Sequence, residues 1–196
     1  MSSAVIDALE SRTLFAVTLE NGVLNILGTA GNDIVRVYAD PRQQSKLDVK
    51  VNNKVWQFER DEVHSLFIQT FRGNDIVFVS NPGHPPALPD VSLPTRIYTD
   101  AGRDIIWAEG GATRVYAGDG DDQIDAAMNM SRCTLYGGNG NDVIRGGWSH
   151  DLIMGNAGKD SLSGNGGNDT IDGGIGGGFF DGGGQPGDKE YGGFDT

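Results

Sequence analysis

The sequence predicts an all-β fold: a solenoid of very short strands in the second half and a hairpin-bearing, strand-rich first half. Three observations lead there. A nine-residue beat runs through residues 99–172, 26 of the 31 glycines lie at or beyond residue 99, and alternating apolar residues flank turn dipeptides before it.

The beat is the most specific of the three. In nines, residues 137–145 read GGNGNDVIR, 146–154 GGWSHDLIM, 155–163 GNAGKDSLS and 164–172 GNGGNDTID. The same frame runs back through AGDGDDQID (117–125), AEGGATRVY (108–116) and TDAGRDIIW (99–107). Only 126–136 breaks step, with eleven residues where nine are expected. Position six holds Asp104, Asp122, Asp142, Asp151, Asp160 and Asp169. Position eight holds Ile106, Val115, Ile124, Leu135, Ile144, Ile153, Leu162, Ile171 and Phe180. A fixed acid with a fixed aliphatic at constant period marks a repeat architecture, in which each unit buries its face only against its neighbours.

The frame G-G-x-G-x-D-x-U-x resembles the hemolysin-type calcium-binding nonapeptide of the RTX (repeats-in-toxin) family, best over 137–172 and more loosely over 99–125 and 173–190. The resemblance implies a right-handed parallel β-roll or β-helix, with six residues turning, three forming a strand and two nonapeptides completing a coil. It implies calcium between a turn and the turn one coil later, with carboxylates from position six and carbonyls from the glycine-rich turn. The implied metal set is Asp104, Asp122, Asp142, Asp151, Asp160 and Asp169, with Gly118, Gly120, Gly137, Gly140, Gly155, Gly158, Gly164 and Gly167.

Residue chemistry agrees. Glycines at positions one, two and four allow positive φ and let carbonyls crowd an ion without Cβ clashes. Calcium takes six to eight hard oxygen ligands, which such turns offer. Zinc or copper would require clustered His and Cys, whereas this chain has one Cys and three scattered His. One buried aliphatic per repeat returns only about 1.5–3 kcal/mol against the entropy of ordering nine residues. The block is therefore expected to be largely unfolded without calcium and to fold on binding it.

With two nonapeptides per coil, alternate turns stack on two edges. Asp104, Asp122, Asp142 and Asp160 form an unbroken first column, expected to hold about three ions. The second edge runs through Thr113 and the irregular stretch before reaching Asp151 and Asp169, so it is expected to hold fewer. Ser149 replaces a glycine beside Asp151 and weakens that site, Gly178 ends the first column, and Asp188 is the candidate to resume the second, with Gln185-Pro186 disturbing its register. Isolated Gly-Asn-Asp turns at 31–33 and 73–75 fit metal-free Asx turns as well as a ligand role, so Asp33 and Asp75 read as turn residues.

Charge is split the same way. Residues 99–196 carry 16 acids against 6 bases, whereas 1–98 carry 11 against 9. This acidity argues against nucleic acid and anionic membrane surfaces as partners and for calcium ions. In the first half, Phe15, Val17 and Leu19 alternate, as do Leu24 and Ile26, around Asn21-Gly22, a two-residue hairpin signal. A strand at 34–38 follows, then a second hairpin of Lys46–Val51 with 55–58, and a strand at 66–68. GTAGNDIVR (28–36) and TFRGNDIVF (70–78) look like degenerate nonapeptides. The expected organisation is a leader or disordered segment (1–12), a capping region (13–98), the β-roll (99–190) and a tail (191–196). The proline-rich stretch 81–95 reads as a linker or an extruded loop.

Residues 1–20 lack a basic n-region and a long apolar core, so no ordinary N-terminal signal peptide is expected. No run approaches a membrane span. Catalytic arrangements are not expected. Ser149-His150-Asp151 are contiguous and cannot form a relay, no H-E-x-x-H occurs, and the loop before Lys159 lacks the phosphate-binding glycine. The expectation is a non-enzymatic calcium-binding repeat protein, secreted or at the cell surface. The alternatives are an accessory module of a secreted polysaccharide-acting or proteolytic enzyme, and an adhesin or surface-layer component. Trp107, Trp148, Phe179 and Phe180 are available for contact with a polysaccharide or cell-surface partner, or for ordinary packing.

Overall fold

The computed structural model describes residues 15–40, 43, 45–79 and 91–192. The expected leader, most of the proline-rich stretch and most of the tail lie outside these residues.

Strand β1 (Ala16–Glu20) turns back on β2 (Val23–Leu27) through Asn21 and Gly22, both at positive φ, which makes the hairpin the dipeptide signalled. The chain crosses to β3 (Ile34–Ala39), then runs antiparallel through β4 (Lys46–Val51) and β5 (Lys54–Glu59). A 3₁₀ turn at Arg60–Glu62 returns it to β6 (Ser65–Gln69), followed by β7 (Ile76–Val79), β8 (Thr95–Tyr98) and β9 (Ile105–Ala108). The repeat block continues with β10 (Thr113–Asp119), β11 (Gln123–Asp125), β12 (Cys133–Asn139), β13 (Val143–Arg145) and β14 (Leu152–Ala157). It ends with β15 (Asp160–Ser163), β16 (Thr170–Asp172), β17 (Gly178–Asp181) and β18 (Lys189–Tyr191).

These strands alternate between two nine-stranded sheets, ordered β1-β2-β6-β8-β10-β12-β14-β16-β18 and β17-β15-β13-β11-β9-β7-β3-β4-β5. From β2 and β3 onward every winding pairs in parallel with the next, giving a parallel β-roll. The two antiparallel hairpins cover the N-terminal edges of both sheets, where open ladders would otherwise face solvent. The sheets run unbroken across residue 98, because β6 pairs with β8 and β7 with β9.

The core is a column between the sheets. Ile106, Val115, Ile124, Leu135, Ile144, Ile153, Leu162 and Ile171 are all fully buried, so the position-eight column is the core line of the roll. Phe180 closes it, its ring over Gly173. The eleven-residue break does not shift this column. Val115 still pairs with Leu135 and Ile124 with Ile144, so the two extra residues are absorbed in the turn between β11 and β12. Outward residues stack as well: Tyr98, Tyr116 and Tyr136 at 4.8 Å, and Phe78 on Trp107 at 4.5 Å with Arg36 over the Phe78 ring. Trp107 thus packs within its sheet, while Trp148 and Phe179 are mostly exposed.

Candidate metal centre

The turns from the first sheet to the second stack into one edge, and the return turns into the other. On the first edge each position-six aspartate turns inward and accepts, on Oδ1, the backbone N–H of its counterpart one winding earlier. The bond from Asp104 N–H to Asp122 is 2.8 Å, from Asp122 to Asp142 2.9 Å and from Asp142 to Asp160 2.9 Å. The same bonds run from Asp33 to Asp75 and from Asp75 to Asp104, each 2.7 Å. The four-acid column read from the sequence is therefore six acids long.

Each carboxylate has a second oxygen, and here the edge departs from a self-sufficient turn stack. The Oδ2 atoms of Asp75, Asp104, Asp122, Asp142, Asp160 and Asp169 are buried and have no hydrogen-bond partner. A buried, unpartnered polar atom costs about 1–3 kcal/mol, more if charged. Burial accordingly pushes the carboxyls of Asp75 and Asp122 up to about 7 and those of Asp142 and Asp169 up to about 6, against the lowering effect of the ladder amides. Burial raises Asp104, Asp160 and Asp151 in the same way. Acceptor-only oxygens in a dehydrated row are the donor set of a hard cation, so the residues present fit calcium. Among the described residues no three His, Cys, Asp or Glu side chains converge on one centre. Carbonyls must therefore supply most ligands, as calcium permits and zinc does not.

The glycines have two distinct jobs. Position two is at positive φ in every first-edge repeat turn, whether glycine (Gly118, Gly138) or not (Asp100, Asn156), and position four likewise at Gly102, Gly120, Gly140 and Gly158. A Cβ on Gly120, Gly140 or Gly158 would overlap the carbonyl oxygen of the position-four glycine one winding earlier. Position one differs from the expectation. Gly137, Gly155 and Gly164 are not at positive φ; a Cβ there would strike Oδ2 of Asp142, Asp160 and Asp169 of their own repeats. These glycines make room for the carboxylate and are not needed for backbone conformation.

The second edge is only partly built this way. Asp151, Asp169 and Asp188 accept the amides of Cys133, Asp151 and Asp169 at 2.7, 2.7 and 2.9 Å, so Asp188 keeps its place despite Gln185-Pro186. Asp151 differs from Asp169: its Oδ2 accepts the Gly147 N–H at 2.6 Å, and neither Gly147 nor Ser149 takes the positive φ of the first-edge turns. Asp188 Oδ2 likewise accepts from Gln185. Earlier on this edge, where Thr113 and Cys133 stand in the acid's place, the fully buried Asn129 donates its amide to the carbonyls of Ala108 and Gly111 at 3.0 and 3.1 Å. A neutral amide thus occupies a position where the first edge gathers carboxylates. Sequence reasoning missed Asn129 because it falls in the out-of-step segment.

Position five carries a second ladder that the frame did not flag. Side chains of Asn32, Asn74, Asp121, Asn141 and His150 each accept the position-five N–H one winding later, at 2.7–2.9 Å. His150 is thereby a stitch between turns. Its neighbours Ser149 and Asp151 contact the Met130 carbonyl and the Cys133 amide, so the three side chains engage three different partners.

Comparison with known proteins matches residues 95–124, 134–162 and 146–180 to the RTX calcium-binding nonapeptide repeat, in four copies. No curated protein and no solved structure matches the chain. With its parallel roll, its buried acid ladder and this match, the chain carries RTX calcium-binding repeats and is a calcium-binding repeat protein.

Proposed function

We propose that this chain is a non-enzymatic, extracellular protein whose repeat block folds and stiffens when calcium enters between stacked turns. The row of buried, unpartnered Oδ2 atoms supports this reading above all: without a cation, the edge consists of carboxylates held together with nothing to neutralise them. Asp104, Asp122, Asp142 and Asp160 would hold the first row, with carbonyls from turn glycines such as Gly118, Gly120, Gly140 and Gly158. On the second edge Asp169 is the free acceptor. Asp151 must exchange its Gly147 bond for a metal, which makes its site the weakest of the set. The ion supplies charge compensation and a rigid link between windings.

The usual affinity range of such modules supports the extracellular reading. Turn sites of this kind in extracellular modules bind at on the order of 10⁻⁴–10⁻³ M, a calcium level found outside cells. Repetition of the aspartates supports the non-enzymatic reading, because it makes a ligand array and not an isolated acid–base pair. Calorimetric titration of chelator-treated protein with calcium, followed in parallel by circular dichroism, tests the reading. Several ions should bind as strand signal grows. A strand-rich spectrum that calcium leaves unchanged would refute calcium-gated folding.

A further inference from the structure

The matched repeats begin at residue 95, yet the acid ladder does not. The turn 70–75 lacks two of the repeat's glycines, with Thr70 and Phe71 at positions one and two, and reads from sequence as a metal-free Asx turn. In the structure Phe71 takes the left-handed conformation of the repeat glycines, at φ 73°, and Gly73 matches them at φ 130°. Asp75 is fully buried, donates its N–H to Asp104 and accepts that of Asp33, so it occupies a full rung. Its Oδ2 is unpartnered. The Thr70 hydroxyl lies beside that carboxylate and eases its charge, yet Thr70 Oγ1 also completes no hydrogen bond and is buried. No amide reaches the buried Asp75 Oδ2, and the Thr70 hydroxyl is the polar group beside it.

One winding further out the situation reverses. Asp33 also occupies a rung, but both its oxygens are engaged. Asn52 Nδ2, from the hairpin turn between β4 and β5, donates to Oδ1 at 2.7 Å, and the Thr29 N–H and hydroxyl donate to Oδ2 at 2.6 and 3.0 Å. Asn52 Oδ1 then accepts the Ile34 N–H, which closes the ladder. The edge is thus sealed by neutral donors at Asp33 and left open at Asp75.

We propose that turns 70–75 and 99–104 form a further calcium site, with Asp75, Asp104 and the Thr70 hydroxyl among its oxygen donors. The site fastens the first half of the chain to the repeat block, one winding beyond the recognised repeats. It rests on the reading above that this edge binds calcium. The turn lies outside the matched repeats, shares a position-one threonine with the turn 99–104, and the site explains why donor side chains appear at Asp33 and not before.

The test is ion stoichiometry in the full chain, by native mass spectrometry with calcium alone, on the parent protein, Asp75→Asn and Asp33→Asn. One ion fewer in Asp75→Asn and an unchanged count in Asp33→Asn are expected. An unchanged count in Asp75→Asn, with the parent binding several ions, overturns this site and leaves the repeat sites standing. No calcium on the parent overturns both. Should Asp75→Asn fail to fold, anomalous scattering from parent crystals grown with calcium decides: a peak beside Asp75 Oδ2 supports the site, and its absence there alongside peaks at Asp122 and Asp142 overturns it.

Discussion

The first and second halves of the roll stack windings in the same way but hold them with different chemistry. In the first half β2, β3, β6 and β7 bury pairs of aliphatic side chains, Leu24 and Ile26, Val35 and Val37, Leu66 and Ile68, and Val77 and Val79, and β4 adds Leu47, Val49 and Val51. The column then thins. After β10 one large aliphatic remains per strand (Ile124, Leu135, Ile144, Ile153, Leu162, Ile171), while each first-edge turn through Asp160 contributes a buried acid whose second oxygen is unpartnered. Side-chain bulk is exchanged for a binding site. Under the proposed reading, stability in the first half is intrinsic and in the second it is linked to ligand concentration.

The largest effect should come from removing calcium. Hydrogen exchange in chelator should show amides of 99–192 losing protection, while β2, β3, β4 and β6 keep theirs. Protection lost equally in both halves would show that they form one cooperative unit.

Core truncations separate the halves next. Leu66→Ala should cost about 2–5 kcal/mol whether or not calcium is present. Ile144→Ala should cost a similar amount in calcium and have no measurable effect in chelator, where its surroundings are already unfolded. Denaturant titrations under both conditions give the comparison. Within the edge, Asp142→Asn should raise the calcium needed for half-folding on the order of tenfold, equivalent to about 1.4 kcal/mol. Loss of a hydrogen-bonded but metal-free rung, as in Asp33→Asn, should cost about 1 kcal/mol and leave the calcium midpoint unchanged.

Acidity sharpens the contrast through its sign. Without calcium, carboxyls raised to about 7 (Asp122) and about 6 (Asp142, Asp169) by burial favour the protonated form in the fold. Their contribution is present below the ordinary carboxylate range and is lost as pH rises through 6 to 7. Chelated protein should hold more strand structure at pH 5 than at pH 8. Saturating calcium should invert that order, since an ion requires the deprotonated acid. Melting curves at the two pH values in each condition check this; a repeat block equally stable at both pH values in chelator would mean that the acids carry no such penalty.

Periodicity made the core column and the two edges legible, because a fixed spacing is what a roll imposes on its sequence. Asp33 and Asp75 were harder to separate: both sit in Gly-Asn-Asp, and the difference lies in Thr29 and Asn52, the latter reaching Asp33 from 19 positions away along the chain. Asn129 was invisible because it falls in the out-of-step segment and its carbonyl partners belong to an earlier winding. Position-one glycine was legible as a requirement, but its reason was not, because a shortage of space depends on where the carboxylate points.

The smallest effect concerns the outer face, where neither core nor ion acts. Tyr98, Tyr116 and Tyr136 stack across three windings, beginning on β8 at the start of the matched segment. Tyr116 has a ring on each side, so Tyr116→Ala breaks both contacts and should cost about 0.5–1.5 kcal/mol per pair. If the stack only decorates windings already fixed by calcium, the loss appears as a lower melting temperature in saturating calcium, with the calcium midpoint almost unmoved. If it instead helps to align the turns before ions enter, the midpoint moves too and binding becomes less cooperative. The titration curve of this single variant thus shows whether the strands or the metal set the register of the second half.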